Sequence, residues 1–194
     1  VNIAKWVRLF FRTLGIGIAV YFIIGAIAEW NGISRYFSTG DIKGVLFTFA
    51  NFIIFGGMFS VISQMGFFAY LTVHRIGLGI FRSYWSMVQV VLIAFAFFDL
   101  IYFRYTAFGG ALWTYFIIPV VLLFVSLAVS EVKKRETNRH AYIPTFFLMF
   151  VVTTIEWLVG LTQSDSAIIW EIGLTLMACN AYQVLTLHRL IAQK

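Results

Sequence analysis

Along the 194-residue chain, charged positions gather into a few short segments, and the stretches between them are almost wholly apolar. A helix needs about 20 mostly apolar residues to cross the hydrocarbon core of a bilayer. Six stretches meet that length: residues 9–28, 45–73, 84–103, 110–130, 142–161 and 167–191. The first is interrupted only by Arg12, and the second holds no Lys, Arg, Asp or Glu, enough for one long or tilted span. Asp99 lies in the third, Pro119 in the fourth, Pro144 and Glu156 in the fifth, and Glu171 near the start of the sixth. The connection from Glu29 to Lys43 predicts an interfacial turn or short helix. Gly77-Leu78-Gly79 predicts a tight turn between the second and third spans. The first apolar run is long and has no convincing small-residue cleavage site, so it is read as a retained helix rather than a signal peptide.

Composition strengthens this pattern. Hydrophobic residues make up 61% of the chain, charged residues 11%, and the mean hydropathy is +0.92. A soluble domain carries roughly 25% charged residues, and a chain of this size cannot bury all of its surface. Disordered chains are charge-rich and apolar-poor, which excludes that class as well. Cys179 is the only cysteine, so no disulfide can form within the chain. The expected fold is an all-α integral membrane protein, a single transmembrane domain over 1–194 built as a bundle of six helices.

Net charge is +6, from 14 Lys and Arg against 8 Asp and Glu. In a membrane protein such an excess orients the chain and meets anionic headgroups. No basic run exceeds Lys133-Lys134-Arg135, so nucleic acid is not an expected partner, whereas membrane lipid is. With six spans, eleven Lys and Arg fall on one side and three (Arg35, Lys43, Arg104) on the other, which places both termini in the cytoplasm. Trp30, Trp113, Trp157 and Trp170 then fall near the outer boundary and Trp6 and Trp85 near the inner one, as an aromatic belt would.

Motifs for catalysis are missing: there is no P-loop, no Gly-x-Ser-x-Gly elbow and no His-Glu-x-x-His. His74, His140 and His188 are isolated in sequence, so no catalytic residue, metal or cofactor is expected. The carboxylates at membrane depth carry more information. Burying an ionised group at the centre of a span costs at least roughly 2.5–3.5 kcal/mol. Asp99, Glu156 and Glu171, with Arg104 near the same depth, form a candidate ion-pair group toward the outer leaflet. The favoured reading pairs Arg104 with Asp99 or Glu156 to lock helices; the alternative is a polar pocket or proton path. Gly56, Ser60, Ser63 and Gln64 share one face of the second span and predict close helix packing. Asn180 and Gln183, one turn apart, predict the same. His74, Arg75, Arg82, Lys133, Lys134 and Arg135 form a candidate cytoplasmic face for a partner or anionic lipid.

The stretch Ile62-Ser-Gln-Met-Gly-Phe-Phe-Ala-Tyr-Leu-Thr-Val-His-Arg-Ile-Gly-Leu-Gly-Ile-Phe-Arg82, with Phe98-Asp-Leu-Ile-Tyr-Phe-Arg-Tyr105, resembles the KinB-signalling pathway activation family (KbaA) of spore-forming Gram-positive bacteria. The Trp6-Val-Arg-Leu-Phe-Phe opening and the six-span layout are similar too. The resemblance implies a multi-pass protein of the bacterial plasma membrane. It further implies a non-catalytic accessory that lets a membrane sensor histidine kinase feed the sporulation phosphorelay. It attaches no enzymatic residues. The alternative is a small lipid-handling or solute-transport protein using the outer-leaflet carboxylates.

Overall fold

The computed structural model describes residues 3–192, with side chains described as far as residue 189; Lys194, counted above among the cytoplasmic basic residues, lies outside the described residues. The elements are α1 (Ile3–Ala28), α2 (Trp30–Thr39), α3 (Ile42–Phe81), α4 (Trp85–Phe108), α5 (Ile117–Glu136), α6 (Tyr142–Phe147), α7 (Thr153–Leu161) and α8 (Ser166–Ala192), with no strand among the described residues. One π-helical turn, Leu148–Val152, joins α6 to α7 without a break. Among the described residues, five stretches are long and apolar enough to cross a membrane: Ile3–Ala28, Ile42–Phe108, Leu112–Glu136, Arg139–Leu161 and Ser166–Arg189.

The second stretch contains both α3 and α4. Asp41 starts α3 by accepting the Gly44 backbone N–H at 3.0 Å, an N-cap. The helix then runs for 40 residues, about 60 Å at 1.5 Å per residue. The turn expected at Gly77-Leu78-Gly79 does not form there. The helix continues to Phe81 and the chain bends at Arg82, whose φ is 48°. Gly77 serves packing instead: a Cβ on it would lie 2.5 Å from the Trp85 indole. Trp85 Nε1 in turn donates to His74 Nδ1 at 3.0 Å, which fastens the start of α4 back onto α3.

Two further boundaries move for local reasons. Gly109 and Gly110, at φ 63° and 88°, end α4 after Phe108. A short 3-10 segment, Leu112–Phe116, precedes α5, so the regular helix begins at Ile117 and reaches Glu136 rather than covering 110–130. Pro119 sits in its first turn, where a missing backbone N–H breaks no helical bond. Pro144 occupies the same position in α6.

Small residues bring α1 and α3 into close contact. A Cβ on Gly56 would meet Ile18 Cα at 2.8 Å, and one on Gly17 would meet Ser60 Cβ at 2.5 Å. The rod from α6 to α7 and helix α8 lie innermost. Phe67, Leu122, Leu148, Met149, Phe150, Trp157 and Leu176 are fully enclosed there. Trp157 therefore leaves the expected outer belt: its indole is buried and Nε1 donates to the Ile169 carbonyl at 2.9 Å. Gly173 clears the space, because a Cβ there would overlap the Trp157 indole. Trp85 is likewise buried, whereas Trp30 and Trp113 face outward. An indole has enough apolar area to be drawn inward whenever a glycine opposite makes room.

Candidate functional site

A polar network lies inside the bundle where α1, α3, α7 and α8 meet. Asn180 of α8 is its hub. Asn180 Nδ2 donates to Glu156 Oε2 at 2.6 Å and to Thr153 Oγ1 at 2.9 Å, both on α7. Ser63 Oγ of α3 donates to Asn180 Oδ1 at 2.8 Å. Gln183 Nε2, one turn further along α8, donates to Ser63 Oγ at 2.8 Å. A second branch runs to α1: Gln64 Nε2 donates to Ser60 Oγ at 3.4 Å, and Ser60 Oγ donates to the Thr13 carbonyl at 2.9 Å. All of these side chains are buried. An apolar interior leaves such groups no solvent alternative, so each bond between helices ties them together and fixes their register.

Local geometry explains why Glu156 reaches the hub. Side chains on an α-helix lean toward its N-terminus, so the carboxylate points back along α7 toward the level of Asn180. The π-turn at Leu148–Val152 shifts the face that follows it, and π-turns recur at functional positions. Gly66 of α3 supplies the remaining room, since a Cβ there would overlap the Glu156 carboxylate. Glu156 Oε1, pressed against that glycine, has no hydrogen-bond partner among the described residues. Thr153 and Gly66 carry no signal in sequence, because their importance comes only from the helix opposite.

The four residues grouped as an ion-pair set do not converge. Glu156 belongs to the network just described. Glu171 is buried on α8 beside the Tyr21 hydroxyl of α1. Asp99 is half-buried on α4 and lines a cleft between α4 and α7. Arg104 corrects the expectation most clearly: its Nη1 donates to the Leu161 carbonyl at 2.6 Å, at the end of α7. Its guanidinium lies over the rings of Phe108 and Tyr115, 5.2 and 5.9 Å from their centroids. Among the described residues it forms no ion pair with Asp99, Glu156 or Glu171. The exposed last carbonyls of a helix are strong acceptors, and Leu161 offers one without burying a second charge.

Gly56, Ser60, Ser63 and Gln64 all lie inside the bundle, the first two against α1 and Ser63 against α8. The basic set, in contrast, divides. His74 is committed to the α3–α4 corner through Trp85, with the Tyr70 hydroxyl 3.4 Å from the same nitrogen. Arg75 and Arg82 are exposed at that corner. Lys133 turns inward instead of out: it is buried, donates to the Val184 carbonyl at 2.7 Å and lies 2.9 Å from His188 Nδ1, which binds α5 to α8. Lys134 and Arg135 both pair with Glu131, at 3.0 and 3.1 Å. Glu136 holds Arg189 at 3.1 Å across the same α5–α8 junction. Among the described residues no three His, Cys, Asp or Glu side chains stand close enough to hold a metal ion.

A family model described as KinB-signalling pathway activation in sporulation matches residues 17–190. The chain is also 38% identical to a KinB-signaling pathway activation protein of Bacillus subtilis (strain 168), over 96% of this chain and 97% of that protein. No solved structure matches.

Proposed function

This chain belongs to the KinB-signalling pathway activation family (KbaA), and we propose that it is a non-catalytic membrane accessory through which a sensor histidine kinase drives the sporulation phosphorelay. The observation that carries this reading is kinship along the whole chain with a relative named for that role, rather than along one motif. Six crossings with both termini in the cytoplasm accompany it. Ile42–Phe108 counts as two because α3 stops at Phe81 and Trp85 folds back onto His74. Cysteine labelling tests this topology, with buried Cys179 giving little background. Ser38→Cys should react from outside intact cells and Lys134→Cys only after permeabilisation; reaction of both from one side would overturn it.

Influence on a kinase has two routes: helix packing within the bilayer, or the cytoplasmic surface. The second is testable because Arg75 and Arg82 are exposed and free of the internal duties of His74 and Lys133. Reversing Arg75 and Arg82 to Glu should sharply reduce kinase-dependent sporulation while the protein still inserts and accumulates. Glu156→Gln, which preserves an amide-compatible acceptor for Asn180, should leave output largely intact. The opposite pattern would replace the accessory reading with a mechanism centred on the internal carboxylate. Lipid or solute handling by a shared group of carboxylates loses its support, since Asp99, Glu156 and Glu171 occupy separate surroundings.

A further inference from the structure

We propose that the cleft between α4 and α7 is a phospholipid site, with an acyl chain along its apolar length and the phosphodiester at Arg104. The cleft has a volume of about 530 Å³ and is lined almost entirely by apolar side chains of α4 and α7, including Phe95, Phe103, Ile155 and Leu158. These same residues are 49–62% exposed, so the cleft opens sideways on the surface that the bundle turns toward lipid. A second, more polar cleft of about 360 Å³ adjoins it, bordered by Ser164, Ser166 and Thr114. Arg104 lines both.

That placement decides the chemistry of the occupant. One guanidinium N–H group of Arg104 is used on the Leu161 carbonyl, out of five N–H donors that the side chain carries. The planar group is steadied by Phe108 and Tyr115 and has no carboxylate within ion-pair distance among the described residues. Asp99 lines the apolar cleft five residues earlier but does not reach it. A cation at the junction of an apolar trough and a hydroxyl-rich notch matches a molecule with a hydrocarbon tail and a phosphate at its neck. An apolar transmembrane helix of another protein, whose backbone groups are bonded within itself, offers Arg104 no phosphate. This inference is independent of the kinase reading, and its test does not measure kinase output.

The full chain is reconstituted with palmitoyl-oleoyl phosphatidylglycerol, re-extracted in mild detergent and weighed by native mass spectrometry. One lipid per chain should survive extraction. Diacylglycerol with the same acyl chains, which lacks the phosphate, should be retained at least tenfold less. Inorganic phosphate in millimolar excess should not displace the lipid. Arg104→Gln should cut occupancy at least tenfold, and Arg35→Gln, on α2, should not. Should Arg104→Gln fail to fold for want of its bond to Leu161, Leu158→Trp decides: it fills the outward-facing trough, leaves Arg104 intact, and should also lose the lipid. Equal retention of diacylglycerol, displacement by inorganic phosphate, or undiminished lipid in Leu158→Trp would each overturn the proposal. So would a wild-type chain that retains no lipid, which would leave the cleft to a helix of another protein.

Discussion

The inner helices and the α4 flank handle the same difficulty, polar groups on helices that are otherwise apolar, in opposite ways. In α7 six of the nine residues from Thr153 to Leu161 are buried, whereas in α4 only Trp85, Gln89, Ile93 and Leu100 are. Glu156 on the inner rod is enclosed and answered by Asn180, which also holds Ser63 and Thr153. Asp99 on α4 stays at the wall of an open cleft, with no such partners among the described residues. Arg104, on the same flank, is satisfied by a helix-end carbonyl and two aromatic faces rather than by a counter-charge. Position in an apolar stretch alone therefore does not say what a charge does. What matters is whether the helix carrying it has neighbours on every side, because a fully enclosed group must find all of its bonds within the bundle.

Steric substitution on the inner side should have the largest effect. Gly173→Val places a side chain where the Trp157 indole lies, so Trp157 must leave its site and its bond to Ile169. The expected loss is about 3 kcal/mol, read as a strong fall in accumulation and in the denaturant midpoint of the purified protein. Survival of Gly173→Val at wild-type stability would show that the inner packing is looser than the geometry requires.

A smaller effect separates the two regions directly. Asn180→Leu keeps the branching of the side chain but removes a hydrogen-bond partner from Glu156, Ser63 and Thr153, and should cost about 1–2 kcal/mol, given the modest worth of hydrogen bonds between membrane helices. Asp99→Asn, at the cleft wall, should change stability by no more than about 0.5 kcal/mol. Titrating both variants with denaturing detergent while following helicity provides the measurement. Equal losses would erase the distinction between the enclosed and the open flank.

How much of this was legible beforehand depends on the range of each interaction. The helical class and the positions of most apolar stretches follow from runs of side chains that water rejects, a local property readable residue by residue. The small and polar face of Gly56, Ser60, Ser63 and Gln64 was equally visible, because helical spacing alone aligns it. Where the reading went astray, a distant neighbour had changed a residue's role. Gly77 looks like a turn residue until the Trp85 ring is seen lying on it. Trp157 looks interfacial until Gly173 opens a seat for it inside. Lys133 looks like part of an exposed basic cluster until the Val184 carbonyl and His188 draw it inward.

The amino-acid sequence by itself determined the helical class, the apolar stretches long enough to cross a membrane, and the family. Each is a sum over local side-chain properties and needs no knowledge of which helix meets which. Tertiary structure alone decided that Glu156 answers to Asn180 rather than to Arg104, that Arg104 stands at the junction of two clefts, and that Gly66 and Gly173 are indispensable spaces. Those outcomes depend on the order in which helices pack and on how far each is rotated about its axis. Spacing within one helix shows which residues share a face, whereas the partner of that face is chosen by the free energy of the whole bundle.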